Sequence, residues 1–221
     1  MEITTAIRTT GSVRQFTDEP VDDATVYAML DDARFAPSGG NRQGWRVVVV
    51  KSEAQRRAIG GLMKPVWDEY VAIGSTGVTP FTAAPPANYA LTTVTPGHTP
   101  NDLLDNIVDV PVVLVVAADL GCIAMMDKDL ERPAITGGGS IYPFCWNVLL
   151  SARSRGLGGV MTTFLSRAEP LAASVLGLPP TYALASTIFL GHPVHQPTKL
   201  KRAAVETFAT IDSFDGSPLA G

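Results

Sequence analysis

The chain has 221 residues, of which 46% are hydrophobic and only 17% are charged, with a formal net charge of −4. This length suits a single domain over 1–221, and the apolar composition predicts a large core and a substantial subunit interface, which excludes a disordered chain. The negative charge provides no basic field, so we expect no nucleic-acid partner.

The N-terminus and the cysteines narrow the setting further. Met1–Thr5 lacks the basic and apolar regions of a signal peptide, and no apolar run reaches the length of a membrane span. We therefore expect a cytoplasmic protein without membrane contact. Cys122 and Cys145 have no CxxC spacing, which favours two buried thiols over a disulfide framework or a zinc site.

Hydrophobic spacing predicts the elements of the first half in chain order. Apolar residues at helical intervals predict an amphipathic helix over 22–36 with an aspartate cap. Residues 45–50 are β-branched without alternation, which is typical of a strand buried on both faces. A capping box at Ser52 opens another helix that we expect to end near Met63.

Residues 64–108 have a different character, because six prolines are interleaved with glycine, threonine and aromatic residues. A loop of this length in a compact domain is commonly a functional lid. A surface excursion without catalytic consequence explains the composition equally well. We therefore predict a variable insert here and keep both interpretations.

The second half alternates between apolar strands and helices. Gly137–Ser140 introduces a helix that is apolar nearly all round, so we expect it to be buried in the core or in a dimer interface. Helices and strands do not alternate strictly, which favours an α+β layered domain over a doubly wound sheet. The predicted elements are a strand over 112–118, a helix through Arg155 closed by Gly156, a strand over 159–163, a helix opened by a Ser166–Glu169 capping box, a strand over 182–190, and a short helix with an extended arm over 199–215.

Three familiar kinds of site do not fit the sequence. The glycines at 137–139 and 156–159 do not complete a dinucleotide fingerprint. No G-x-S-x-G elbow accompanies the histidines, so a hydrolase triad is not expected. His192 and His195 follow a strand in a turn, where histidines are mostly solvated, and we expect no metal site.

Three separated segments together indicate a composite site for an anionic ligand. Ser12–Phe16 places a hydroxyl and a guanidinium two residues apart, Ala36–Trp45 is rich in small residues and amides, and Lys199–Arg202 is basic. Arginine binds phosphate bidentately, and glycine permits close approach of the backbone. Each segment alone is more often a solvated face or a simple turn.

In this order, the segments resemble the FMN-dependent nitroreductase family, and the likeness spans nearly the whole chain. Ala36–Trp45, with the sequence APSGGNRQGW, is similar to the family stretch A-P-S-x-x-N-x-Q-P-W. Gly156–Gly158 followed by Val160–Thr163 resembles its G-L-G turn and flavin-facing strand, and Leu200–Arg202 resembles its C-terminal phosphate contact. Within the family, the chain looks most like the actinobacterial nitroreductases.

The resemblance implies a three-layer α+β sandwich with a central, mostly antiparallel sheet, in an intertwined homodimer whose arms at 203–221 reach the partner subunit. Ser12 and Arg14 would hold the ribityl phosphate and the N1/C2 carbonyl side of FMN, and Lys201 and Arg202 would pair with the phosphate. The residues expected along the flavin ring are Met161, Thr162 and Thr163, the last near N5. The residues expected from the other subunit are Pro37, Ser38, Gly39, Asn41 and Gln43.

One departure from the family pattern concerns the phosphate charge. The family commonly has two arginines directly before the serine, whereas Thr10 and Gly11 stand here. Part of the positive charge must therefore come from elsewhere, and Lys199 is the candidate. Gly44 replaces a proline and loosens the turn without removing a ligand group.

By resemblance, the chain would be an FMN-dependent NAD(P)H oxidoreductase that reduces nitroaromatics or quinones by two-electron, ping-pong hydride transfer. Arg14 would stabilise negative charge near flavin N1, and the insert would stack small aromatic acceptors. Arg42 and Arg46 favour NADPH over NADH if they meet a 2′-phosphate, although simple surface charge explains them equally well. The candidate stacking residues are Trp67, Tyr70 and Phe81.

Two alternatives remain open. One is a flavin-destroying or dehalogenating enzyme, as in other branches of the family, although no long charged lid motif matches those branches. The other is a flavin-binding storage protein with poor turnover.

Overall fold

A computed structural model describes residues 1–83 and 95–221, and in this part of the chain four strands form one antiparallel sheet in the order β1-β2-β4-β3. The strands are β1 Trp45–Val49, β2 Val112–Asp119, β3 Gly158–Thr162 and β4 Tyr182–Gly191. The helices are α1 Ile3–Thr9, α2 Asp23–Ala33, α3 Glu53–Gly74, α4 Asp102–Asp105, α5 Tyr142–Ser154, α6 Phe164–Arg167 and α7 Glu169–Leu176. Short 3₁₀ helices lie at Gly39–Asn41, Ile107–Asp109, Thr136–Ser140 and Val205–Thr207.

The side chains of β2 divide the core into two clusters, because successive residues of a strand point to opposite faces. Val112, Leu114 and Val116 pack with α2 and α5 on one face. Val113 and Val115 pack with α3, α4 and α7 on the other. Helices therefore cover both faces of the sheet, and the expected three-layer α+β fold is confirmed.

A strand forms at Trp45–Val49 as predicted, but the expectation that it is buried on both faces is wrong. Within the described residues, β1 pairs only with β2 and lies at an edge of the sheet, and Val49 is 37% exposed. The run of β-branched residues reports a preference for the pleated backbone. It does not report which place a strand takes in the sheet, since that depends on distant segments.

The expected start of α2 and the expected end of α5 are confirmed, whereas α2 ends at Ala33 and not at residue 36. The Asp22 carboxylate accepts a hydrogen bond from the amide of Thr25 at 2.7 Å and so caps α2. Gly156 follows α5 with a φ of +80°, and the amide of Leu157 reaches back to the carbonyl of Ala152 at 3.0 Å. This glycine-terminated turn is the expected C-terminal stop.

Helix α3 does not end near Met63 as expected but continues through Pro65 to Gly74. Proline removes one backbone donor and disfavours a helix interior. The helix nevertheless continues because Ile59, Met63 and Val66 form a buried apolar row on either side of the proline. Residues 64–74 of the predicted insert are thus helical, while the lid role of the insert stays a prediction and residues 84–94 lie outside the described part.

The predicted capping box at Ser166 and Glu169 is also wrong. Ser166 lies inside α6, and α7 begins after Ala168 without a side-chain cap. The Glu169 carboxylate instead accepts the amide of Leu184, the donor and acceptor atoms being 2.5 Å apart. The Glu169 carboxylate therefore makes a tertiary contact with β4 and not the helix cap that the local spacing predicted.

Arg56 holds the start of α3 against the segment that leads from α4 into β2. Its guanidinium donates to the carbonyls of Val50, Val108, Val110 and Pro111 at 2.5–3.3 Å. Burial lowers the pKa of this guanidinium below its usual value. These hydrogen bonds hold in place the segment that connects α4 to β2.

Asp127 organises the connection between β2 and α5. Its nearly buried carboxylate accepts hydrogen bonds from the hydroxyl and amide of Thr136, the amide of Ile135 and the guanidinium of Arg132, at 2.6–3.2 Å. These donors, the Thr136 hydroxyl foremost, hold the pKa of Asp127 well below its usual range. The connection is thereby fixed by one acidic side chain.

Other expectations have mixed outcomes. Cys145 is buried as expected, but Cys122 is half-buried and its thiol contacts the Asp119 carboxylate. The tail contains the short 3₁₀ helix and an exposed arm. Among the described residues, none of the helices has the length and apolarity needed to cross a membrane.

Candidate functional site

Residues 12–14 lie along the free edge of β3. The amide of Val13 donates to the carbonyl of Gly159 at 2.9 Å, and Ser12 forms a parallel bridge with the same residue. On the other side, the amide of Val194 donates to the carbonyl of Gln15 at 3.1 Å. The Ser12–Arg14 motif is therefore held between β3 and the chain that leaves β4.

The register of β3 directs backbone donors toward this motif. Because the Gly159 carbonyl accepts from Val13, the backbone polar groups of Gly159 point away from β4. Neighbouring residues in a strand alternate in this respect, so the N–H groups of Met161 and Thr163 point to the same outer edge. A ligand lying along this edge would meet two backbone donors in addition to the side chains.

A cleft of about 490 Å³ opens beside this edge, and a second hollow of about 400 Å³ adjoins it. The first has the size of a small-molecule site. It is lined by Arg14, Trp67, Tyr70, Asn101, Leu103, Leu104, Met161, Thr162, Thr163 and Phe164. The second shares Arg14 and Trp67 and adds Ser12, Gln15, Asp102, His195 and Pro197. The structure thus brings Ser12 and Arg14 of the first segment together with the predicted ring-facing residues Met161, Thr162 and Thr163.

Polar groups in the cleft are not satisfied by the protein itself. Arg14 is exposed and forms no ion pair with any residue of 1–83 or 95–221. The Thr162 hydroxyl is buried, and no hydrogen-bond partner for it exists in the same ranges. Buried polar groups are normally paired, so the unpartnered Thr162 hydroxyl is an exception. The exposed Arg14 guanidinium is available to a ligand that accepts hydrogen bonds. Asp102 lines the adjoining hollow, which makes the local charge mixed.

Trp67 and Tyr70, two of the three aromatic residues expected to contact the substrate, form a wall of the cleft, and Phe81 lies next to them without lining it. Trp67 and Tyr70 stack with ring centroids 6.0 Å apart, and Phe164 meets both edge-on at 5.8 Å. Phe81 lies 6.3 Å from Tyr70 and has the Arg167 guanidinium 4.9 Å from its ring centroid. These rings offer an apolar face on which a flat aromatic molecule would stack.

The loop at 37–43 lies far from this cleft within one chain. It precedes β1, and the β1 edge is separated from the β3 edge by β2 and β4. The Ser38 hydroxyl accepts the amide of Gln43 at 2.9 Å, and Asn41 and Gln43 both have φ of 52°. Such left-handed backbone is uncommon outside glycine and is found at binding sites. The fold of a single chain thus does not place the predicted loop residues in the cleft that contains Arg14. These residues are Pro37, Ser38, Gly39, Asn41 and Gln43.

The basic segment lies next to the motif. Leu200 packs beside Gly11, while Lys199, Lys201 and Arg202 are exposed. The two arginines proposed for NADPH are elsewhere. Arg42 donates to the carbonyl of Gly39 in its own loop, and Arg46 lies on the β1 edge.

Sequence reasoning missed several residues of the cleft, chiefly Asn101, Leu103 and Phe164. The side chain of Asn101 caps α4 by accepting the amide of Leu104 at 3.2 Å. An Asn-Asp pair before two leucines is a helix-start signal that was present in the sequence. Phe164 directly follows the predicted ring-facing residues and extends their wall. None of these side chains carried a charge pattern that would mark it as part of a site.

Comparison with known proteins assigns the family. The model of the Nitroreductase family matches residues 7–192. The chain belongs to the nitroreductase family. A nitrobenzene nitroreductase of Ectopseudomonas oleovorans is 27% identical to it over 209 residues, which cover 84% of either protein.

Solved structures show the same fold. The NADPH:FMN oxidoreductase of Vibrio harveyi, solved in complex with NAD⁺, matches with a TM-score of 0.69 and 19% identity, over 96% of this chain and 77% of that one. Nitroreductase A of Vibrio parahaemolyticus matches with a TM-score of 0.67 and 19% identity, over 100% of this chain and 79% of that one. These likenesses show that the chain has the nitroreductase fold.

Proposed function

We propose that this nitroreductase binds FMN along the edge formed by Ser12–Arg14 and β3, and uses NAD(P)H to reduce nitroaromatics or quinones. The observation that carries the proposal is the unpaired Arg14 in a cleft of about 490 Å³ beside the unpartnered Thr162 hydroxyl. When bound, FMN supplies two-electron hydride chemistry. The similarity to a nitrobenzene nitroreductase and to an NADPH:FMN oxidoreductase supports this substrate and cofactor class.

The residues of the cleft have distinct tasks in this proposal. Arg14 places a fixed positive charge where negative charge develops on the cofactor, since guanidinium stays protonated and needs no reorganisation. The N–H groups of Met161 and Thr163 orient a planar ligand along the strand edge. Trp67, Tyr70 and Phe81 hold the aromatic acceptor against the same face, and solvent supplies its protons through the open cleft.

The proposal includes a homodimer. The loop at 37–43 and the Arg14 cleft lie at opposite sheet edges, so a site that contains both requires a second chain. Helix α5 presents Tyr142 and Trp146 partly to solvent although it is apolar on its other sides. The tail carries Phe208 and the fully exposed Phe214, which a partner subunit would cover.

The first experiment is the visible absorption spectrum of the purified protein with identification of the released flavin. We expect about one FMN per chain and anaerobic bleaching by NADPH or NADH, followed by reoxidation with a quinone or a nitroaromatic compound. A protein that binds no FMN contradicts the proposal. Bound FMN with negligible turnover would instead identify a flavin-storage protein, and NADPH against NADH rates would fix the donor.

A further inference from the structure

Gly11 lies where no side chain fits. It is buried, and a β-carbon built on it would lie 2.8 Å from Pro197 Cγ and 2.9 Å from both the Pro197 carbonyl oxygen and Leu200 Cδ2. Real β-carbons do not approach other atoms so closely. One of these contacts is with the backbone, so a side chain at position 11 would force residues 197–200 away.

The segment at 192–200, which packs against Gly11, runs antiparallel to the Ser12–Arg14 motif. The amide of Thr17 donates to the carbonyl of His192 at 2.9 Å. Further along, the side-chain amide of Gln196 donates to the carbonyl of Thr9 at 3.3 Å. The backbone contacts tie residues 15–17 to residues 192–194, and the Gln196 side chain extends the association to Thr9. The basic segment comes directly after the contact between Gly11 and Pro197.

Arg202 donates to the carbonyl of Lys201 at 2.8 Å, and the three cations of this segment are otherwise open to solvent. Lys199, Lys201 and Arg202 are exposed, and none forms an ion pair with an acidic residue of 1–83 or 95–221. A phosphate monoester carries a charge of about −1.5 to −2 at pH 7, which exceeds what Arg14 alone neutralises. The cations that Gly11 brings beside the motif would supply the remainder.

We infer that Gly11 is a positioning residue for the phosphate of FMN, because its missing side chain lets residues 197–200 pack against the motif and so delivers the cations of Lys199–Arg202 to the phosphate end of the site. The inference rests on the proposed function. The phosphate contact at Leu200–Arg202 is what the family resemblance already implies, and the inference concerns only how Gly11 sets the position of that segment.

The test compares FMN with riboflavin, which has the same ring but no phosphate. The dissociation constants of both are measured by flavin fluorescence for the wild type, for Gly11→Ala and for Lys199→Gln/Lys201→Gln/Arg202→Gln. We expect either variant to weaken FMN binding about 10- to 100-fold and to leave riboflavin binding unchanged, as for lost charge-assisted hydrogen bonds. Gly61→Ala is the matched control, since no atom lies within 4 Å of a β-carbon there.

Combining the changes isolates the positioning role. In the triple-glutamine background, Gly11→Ala should cause little further loss of FMN affinity, because the cations that it positions are already gone. Equal weakening of FMN and riboflavin by Gly11→Ala, or no effect of the exposed triple variant on FMN, overturns the inference. A wild type that binds neither flavin contradicts the proposed function itself, whereas a wild type that binds both equally contradicts only the inference.

Discussion

Arg56 and Arg14 show that the same residue type can have two different roles in one molecule. Arg56 is partly buried and donates to four carbonyls, so its hydrogen-bonding capacity is used within the fold. Arg14 lines an open cleft and has no ion-pair partner in the described ranges. A charged group that the protein saturates stabilises the fold, whereas one left unsaturated at a cleft is available to a ligand.

The largest expected effect is the loss of stability on replacing Arg56, whose hydrogen-bonding capacity is used within the fold. Arg56→Met removes the donors and leaves up to four carbonyls unpaired, and we expect the free energy of unfolding to fall by about 2–4 kcal/mol. Chemical denaturation measures this difference. The neighbouring Arg57→Ala is the control, because within residues 1–83 and 95–221 Arg57 forms only an exposed ion pair with Glu53. Its loss should lower the free energy of unfolding by less than about 0.5 kcal/mol. Equal effects at the two positions would remove the distinction.

Arg14→Ala tests the unsaturated side. We expect FMN to bind about 10- to 150-fold more weakly, the equivalent of about 1.5–3 kcal/mol for hydrogen bonds to a charged group, while the unfolding free energy changes little. Flavin titration and denaturation of the same preparation separate the two quantities. A large loss of stability with unchanged FMN affinity would show that Arg14 belongs with Arg56.

Phe81→Ala probes the ring that packs against Tyr70 of the aromatic wall, and its expected effect is smaller. Loss of one stacking partner should change the kcat/KM ratio between a nitroaromatic and a small quinone about 2- to 10-fold, without altering FMN affinity. Tyr27→Ala is the control, since Tyr27 is an exposed aromatic residue on α2. An unchanged ratio would exclude Phe81 from acceptor recognition.

Asp127 is a second charged side chain whose hydrogen bonds are made within the fold, and it should make the stability of the protein depend on pH. Its pKa is lowered in the folded protein, so its contribution to stability is present above the unfolded pKa, about 3.9, and is lost as the pH falls through the folded value. We expect Asp127→Asn to lower the denaturation midpoint at pH 7 and the difference from wild type to shrink below about pH 4. Asp129→Asn, at an exposed position, should show no such dependence. A difference that is constant with pH would show that the carboxylate charge is irrelevant.

The sequence alone predicted features that depend on a few adjacent residues. The Asp22 cap, the Gly156 stop and the buried strand at 112–118 were correct because each follows from local backbone geometry or from one run of side chains. The nitroreductase fold followed from motifs in a fixed order.

Tertiary structure decided whatever depends on which distant segments meet. Packing carried α3 past Pro65, β-sheet order placed β1 at an edge, and a contact with Leu184 took Glu169 from its expected cap. The same holds for the site, since Gly11 reads as a missing arginine in the sequence and as room for residues 197–200 in the fold. Local rules specify elements, but only the assembled chain determines which polar groups are paired and which remain free for a ligand.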